Sequence, residues 1–294
     1  MCLRPLRFWR SDILDENGNY PGFITGFDGY DVKEVTSRDF QKKGILCSHS
    51  FITRNYIEVP CGHCSECDRS RKQQWTFRCL AESRLHRYNY FLTITYSQSH
   101  VNDTNKDDCQ KFLKYLRRLG FEFKYYLVAE YGNQTKRPHY HMCMFSDTPI
   151  KDGKVWISDP KKPLFRSATL EKAWLDKGQI LYGVLDAAGI RYTLGYINSK
   201  EKLQTFHLLS KNIGRDYFDS QLEKDTFYFG TGDGNFVKGT LPRYLKKKYG
   251  ITSPYDLRLA KARWSNLVYL TGEKIYNIRE RIDDLNQREM HYKV

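Results

Sequence analysis

No stretch of this 294-residue chain is apolar for long enough to cross a bilayer. The first residues, MCLRPLRFWRSD, are basic but lack the apolar run of a signal peptide. A membrane or secreted protein is therefore not expected, and a host cytoplasm is. Internal repeats and low-complexity tracts are absent too, which argues against solenoids and disordered tails. Acidic residues are in short supply: 34 Asp and Glu stand against 48 Lys and Arg, a formal net charge of +14. Such a field attracts polyanions, of which nucleic acid is the commonest inside cells. A disulfide framework is not expected, because eight cysteines without a secretory signal read better as reduced thiols or metal ligands.

Aromatic side chains make up 15% of the residues, and 22 of them are Tyr, so unpaired bases would find many flat surfaces on which to stack. A hydrophobic content of 40% is enough for a core. Residues 1–55 show no sustained period and read as an extended arm or edge structure. A Gly- and Pro-free run from Ser70 to Tyr88 predicts a helix, and the β-branched, aromatic YFLTITY (Tyr90 to Tyr96) a strand. Cys109, Phe112, Leu113, Leu116 and Leu119 recur at helical spacing, with Asp107 or Asp108 as cap and Gly120 as stop. Phe121–Glu130 and His139–Phe145 read as neighbouring hairpin strands around the turn-like YGNQTKRP. A short helix follows near Leu170 to Asp176, and another begins with Asp186 as cap. The order β, α, β, β, α predicts an α+β fold of the split βαβ or ferredoxin-like class: a central antiparallel sheet with helices on one face. Beyond Lys211 the pattern weakens.

The sharpest chemical feature is His139-Tyr140-His141. On a strand side chains alternate, so both imidazoles share a face, with alpha carbons about 6 to 7 Å apart, while Tyr140 points away. Glu130 ends the preceding strand, and a hairpin would return its carboxylate beside the two rings. Two imidazoles and a carboxylate with open positions suit Mg²⁺ or Mn²⁺. Downstream, Tyr192, Tyr196 and Lys200 lie at i, i+4 and i+8, so a helix stacks two phenols and an ammonium along one face. A tyrosine oxygen is a competent nucleophile toward a phosphodiester when a cation stabilises the phenolate and a metal polarises the phosphate. With so many tyrosines, simple packing is the competing reading. Ile190, Leu194 and Ile197 form an apolar stripe on roughly the opposite face and need a partner of their own. Finally, Cys61, Cys64 and Cys67 are spaced C-x2-C-x2-C, which suits a soft ion such as structural Zn²⁺. One ligand is missing from a closed site, and Cys47, His49 or Cys79 would complete it. Reduced thiols without metal are the alternative, since no second C-x2-C occurs.

Taken in order, FLTITY, AEYGNQTKRPHYHMCMF and RYTLGYINSK resemble the three motifs of the HUH rolling-circle initiators. The closer resemblance is to the replication initiation proteins of the Microviridae, small single-stranded DNA phages, and especially their gokushovirus branch. Those proteins also show a PCGxCxxC segment, here PCGHCSEC, and a GIG sequence, here NIG at Asn212 to Gly214. The resemblance spans about Val59 to Arg215. It implies an HUH endonuclease fold, with His139 and His141 as metal ligands, Glu130 as the third, and Tyr192 and Tyr196 as nucleophiles. It further implies nicking of replicative-form DNA at the viral origin, a 5′-phosphotyrosine adduct and religation of the strand into a circle. The partners so implied are single-stranded and origin DNA and a host helicase with other replication proteins. The expected division is an arm (1–55), a nuclease domain with the cysteine cluster at its start (56–215) and a basic C-terminal extension (216–294). Two alternatives stay open: an HUH relaxase or transposase, and a non-catalytic protein that binds or packages single-stranded DNA.

Overall fold

The computed structural model describes residues 5–16, 18–26, 32–100, 104–132, 137–195, 205–221, 226–230 and 235–249. It divides into two compact units, Met1–Arg71 and Lys72–Val294. Strands β1 (Leu6–Arg10), β2 (Gly22–Thr25) and β5 (Tyr56–Val59) build an antiparallel sheet in the first unit, ordered β2-β1-β5. A second pair, β3 (Val35–Thr36) with β4 (Ile52–Thr53), flanks helix α1 (Ser37–Lys42). Trp9, Val35 and Phe40 are buried together, with Phe23, Ile45 and Phe51 against them. Residues 1–55 thus carry a small core of their own rather than an arm. Strands of two to five residues are too short to display a period, which is why the sequence pattern there is irregular.

Helix α2 (Ser65–Ser83) runs through the division between the units. The second unit is organised by a seven-stranded sheet in which every neighbouring pair is antiparallel. Its middle is β7 (Phe123–Tyr131), β8 (Pro138–Ser146) and β6 (Tyr88–Tyr96), in that order. Because β8 runs antiparallel to both, β6 and β7 are parallel to each other, joined through helix α3 (Lys106–Arg118). That is the split βαβ unit expected from the element order. Beyond β6 lie β11 (Gly178–Val184), β10 (Leu164–Arg166) and β9 (Lys154–Ile157), and β12 (His207–Leu209) covers the free edge of β7.

Helices cover both faces of this sheet, not one. On β7 and β8 residues of both parities are apolar, so each face needs a cover. Leu127, Ala129, Tyr140, Met142 and Met144 pack with Phe112, Leu113 and Leu116 of α3 and with Leu170 and Ala173 of α4 (Ala168–Ala173). Tyr126, Val128, Cys143 and Phe145 pack on the other side with Phe77 and Leu80 of α2 and with Ile190 and Leu194 of α5 (Ala187–Gly195). The apolar stripe of α5 therefore finds its partner in the sheet itself. Asn105, not an aspartate, caps α3: its side chain accepts from the N–H groups of Asp107 and Asp108. Gly120, at φ +85°, ends the same helix region.

The expected C-terminal extension is built into this unit as far as the described residues go. Helix α6 (Arg215–Ser220), strands β13 (Phe227–Gly230) and β14 (Phe236–Gly239) and helix α7 (Arg243–Lys248) contribute Phe218, Phe227, Phe229 and Leu245 to the core that α2 and α5 share. Residues 250–294 lie outside the described residues. The NIG segment makes the tightest junction. Gly214 sits at φ +73°, and a Cβ there would lie 2.6 Å from the Arg78 carbonyl oxygen of α2. Its N–H donates to Glu82 at 2.6 Å, while Arg78 Nε donates to the Ile213 carbonyl at 3.0 Å. Among the described residues no helix is long and apolar enough to cross a membrane.

Candidate metal centre and nucleophile

Cross-strand register places the three expected ligands together. Glu130 is paired with His139 across β7 and β8, and His141 lies two residues further along the same face of β8. His139 Nε2 approaches one carboxylate oxygen of Glu130 at 3.2 Å, and His141 Nε2 the other at 3.3 Å. The three donor atoms lie within 4.8 Å of one another. Burial alone would raise the Glu130 carboxyl, but hydrogen bonds with His139 and His141 and their charge outweigh it and bring the group down to about 2. Burial works against protonation of His139, yet its bonds to Glu130 and to the Arg137 carbonyl win and raise it above the ordinary histidine value.

The surroundings set the imidazoles for coordination. His139 Nδ1 lies 3.1 Å from the Arg137 carbonyl, which can only accept, so the neutral ring carries its proton there and turns the Nε2 lone pair toward Glu130. His141 Nδ1 meets the Thr93 hydroxyl of β6 at 3.2 Å. Arg137 itself is tied back to the Tyr96 carbonyl by its guanidinium. Tyr140 faces the opposite side, as the alternation predicts, where its hydroxyl accepts from Asn105 N–H at 2.8 Å and steadies the start of α3. Two nitrogens and a carboxylate oxygen, converging and oriented from behind, fit a divalent cation.

Tyr192 projects from α5 over this group. Asp186 caps the helix by accepting from Gly189 N–H at 2.6 Å, which sets where the helix starts and so where residue 192 points. The Tyr192 ring is edge-on to the His141 ring, centroids 5.0 Å apart, while Phe91 stacks on His141 at 5.4 Å. Tyr192 is nevertheless about half exposed, at 48%. It borders a cleft of about 660 Å³ with Phe91, His141, Lys161 and Lys162 among its walls. A larger cavity, about 920 Å³, lies in the N-terminal unit and holds none of these groups. Tyr196 and Lys200 lie outside the described residues.

The sulfur ligands are brought together only in part. Cys61, Cys64 and Cys67 converge within 4.8 Å of one another. Cys47 does not join them: it packs against the Trp9 core, with its thiol 3.7 Å from the Ser37 carbonyl. Cys79 is fully buried in the core beneath α2. Sequence spacing puts Cys47 forward as fourth ligand, but the hydrophobic surroundings of that residue decide its place. The wall formed by β10 and β11, and Thr93 behind His141, go beyond the sequence expectations. Thr93 stands two residues from Phe91 and Thr95 in an alternating strand, and that parity is the available signal.

Residues 89–201, from β6 to just beyond α5, match a family model for replication-associated proteins of the ORF2 kind. The replication-associated protein ORF2 of Spiroplasma virus 4 is 29% identical over 92% of this chain and 83% of its own length. The replication-associated protein VP4 of Bdellovibrio phage phiMH2K is 26% identical over 77% of each chain. The replication-associated protein ORF4 of Chlamydia phage 1 is 27% identical over 56% of this chain and 47% of its own. No solved structure is significantly similar to the chain. These matches agree with the microvirus resemblance carried by the motifs, and the chain is a relative of the replication-associated proteins of small single-stranded DNA phages.

Proposed function

We propose that this protein is a replication initiator of the HUH type, a metal-dependent endonuclease that nicks the viral origin strand and stays joined to its 5′ end through a tyrosine. The observation that carries this reading is the convergence of Glu130, His139 and His141 beneath an exposed Tyr192, at the edge of a cleft with two lysines. The names of the relatives support a role in replication. Glu130, His139 and His141 would hold Mg²⁺ or Mn²⁺, and a bound ion of that kind withdraws charge from a non-bridging oxygen of the scissile phosphate.

The remaining steps belong to the chain. Lys161 and Lys162 attract the phosphate backbone of a single strand, and Phe91 and Tyr192 offer ring surfaces to its bases. The Tyr192 oxygen attacks phosphorus. A bond from phosphorus to the tyrosine oxygen forms as the bond to the 3′ oxygen breaks; the phenol proton passes to solvent, and the 3′ oxygen takes one up. The product is again a phosphodiester, so a later attack by a 3′-hydroxyl reseals the strand into a circle without a nucleotide cofactor. Tyr196 serves as the second nucleophile and Lys200 as the cation beside the phenolates. The partners are origin DNA in single-stranded and replicative form and a host helicase, and the setting is the bacterial cytoplasm.

The test is incubation of the full chain with the cognate origin strand and Mn²⁺, followed by denaturing electrophoresis and mapping of the adducted residue. A covalent adduct on Tyr192 or Tyr196 is expected, absent in His139→Ala and His141→Ala proteins that still bind DNA. If no adduct forms under any divalent ion, the chain is a binding protein and not a nuclease.

A further inference from the structure

We propose that Cys61, Cys64 and Cys67 form a second, thiophilic metal site, occupied by Zn²⁺ or an ion of its class through three thiolates with one position left to water. The geometry around Cys61 points to it. Gly62 takes φ +81°, and this left-handed turn aims the backbone N–H groups of His63 and Cys64 at the Cys61 sulfur, at 3.5 and 3.4 Å. Two amides directed at one sulfur favour its thiolate over its thiol, since a thiolate is the better acceptor. Arg71 holds the turn by donating to the Gly62 carbonyl at 2.6 Å.

The other two sulfurs are delivered by the start of α2. The Cys64 carbonyl accepts from Asp68 N–H at 3.0 Å, so Cys64 stands at the helix entrance and Cys67 in its first turn. Cys61 and Cys67 sulfurs are 3.9 Å apart. Four sulfurs at a Zn–S distance of about 2.3 Å in a tetrahedron would be separated by about 3.8 Å, so this pair already has the spacing of two ligands on one ion. It is also far outside the roughly 2.05 Å of a disulfide bond. Three thiolates on a divalent ion leave one negative charge, placed beside the helix N-terminus and Arg71, both of which favour it. Binding releases the thiol protons to solvent, so affinity rises with pH. Cys47 being engaged elsewhere leaves three protein ligands and not four. This site is separate from the Glu130 centre in chemistry, since soft sulfur and hard oxygen ligands select different ions. It stands whether or not the chain cuts DNA.

The test uses the full-length protein, purified reduced and stripped of metal, then titrated with Co²⁺ alone. One equivalent should produce a thiolate-to-cobalt charge-transfer band in the near ultraviolet with tetrahedral ligand-field bands in the visible, and Zn²⁺ should bleach both. Cys61→Ser, Cys64→Ser and Cys67→Ser should each weaken binding at least tenfold, while Cys47→Ser and the His139→Ala, His141→Ala double variant keep the bands. Circular dichroism of each variant separates lost ligation from lost folding. Absence of the charge-transfer band in reduced wild-type protein would overturn the proposal, as would bands unchanged in a folded Cys64→Ser variant, or a Cys61–Cys67 disulfide in protein that binds no metal.

Discussion

Thr93→Val is the most informative single change at the Glu130 centre, because it leaves all three ligands in place. Valine matches threonine in shape and suits a strand, so β6 should pair as before. What is lost is the 3.2 Å contact between the Thr93 hydroxyl and His141 Nδ1. Partners that orient a ligating histidine from behind are worth roughly 10- to 100-fold in metal affinity, about 1.4 to 2.8 kcal/mol. The effect can be read without DNA. At a Mn²⁺ concentration about 100 times the wild-type Kd, binding stabilises the native state by about 2.7 kcal/mol. Weakening by roughly 10- to 100-fold would reduce that to about 1.4 to 0.4 kcal/mol, visible as a smaller rise in Tm on adding Mn²⁺. Glu130→Gln and His139→Ala should remove the rise altogether. A Thr93→Val protein whose Mn²⁺-induced rise equals the wild type's, beside a Glu130→Gln protein that shows none, would mean that Thr93 does not orient His141. A normal rise in Glu130→Gln would refute the centre itself.

Other consequences are as open to measurement. Tyr192→Phe and Tyr196→Phe should each retain some covalent adduct on an origin oligonucleotide but fail to release closed circles, and the double variant should form no adduct; complete circle release by either single variant would make that tyrosine a packing residue. Gly214→Ala combines a left-handed backbone with a Cβ 2.6 Å from the Arg78 carbonyl, and should cost about 2–4 kcal/mol in urea unfolding. Gly120→Ala has a similar φ, +85°, with nothing within 4 Å, so it should cost only about 1 kcal/mol; equal losses would show that the approach to α2 is not tight. Glu82 is fully buried, with His86 Nε2 at 2.8 Å, Lys124 Nζ at 2.9 Å and the Gly214 N–H on its carboxylate. Burial opposes charge on His86, but its bonds to Asp147 and Glu82 raise it above the ordinary histidine value of 6.5. Its contribution is therefore complete below that value and fades as pH climbs through the folded pKa. The stability gap between wild type and His86→Gln should be widest near about pH 6 and narrow toward about pH 9; a gap that widens with rising pH would contradict the sign.

The centre is more legible in the sequence than the fold around it, and strand parity is the reason. His139, His141 and Glu130 need only alternation and a hairpin, both local properties, and the observed register pairs Glu130 with His139. Helix α3 is equally plain, from its 3.6-residue apolar period. Its cap is not, because Asn105, Asp107 and Asp108 are all competent caps and only the backbone geometry selects among them. Strand β11 is hidden because Gly178 and Gly183 interrupt its apolar run, although it forms the longest pairing on the outer edge of β6. The two-faced cover of the sheet depends on Phe227, Phe229 and Leu245, which lie far along the chain among short elements with no period of their own. Long-range packing of that kind leaves no local signature.

The alternation along β8 has a bearing on the quality of any preparation of this protein. His139 and His141 share their face with Cys143 and Phe145, which are buried in the core under α2 and α5. A one-residue slip of β8 would turn both imidazoles toward α3 while sending Cys143 and Phe145 with them, and would bring Tyr140, Met142 and Met144 to the other side. The slipped chain would lose its metal ligands and its packing in the same event. Folded molecules with a scrambled centre are thereby suppressed, and a chain that has reached its native melting transition has its ligands in register as well. Specific activity should consequently track the folded fraction across batches, without a separate population of well-folded but dead protein.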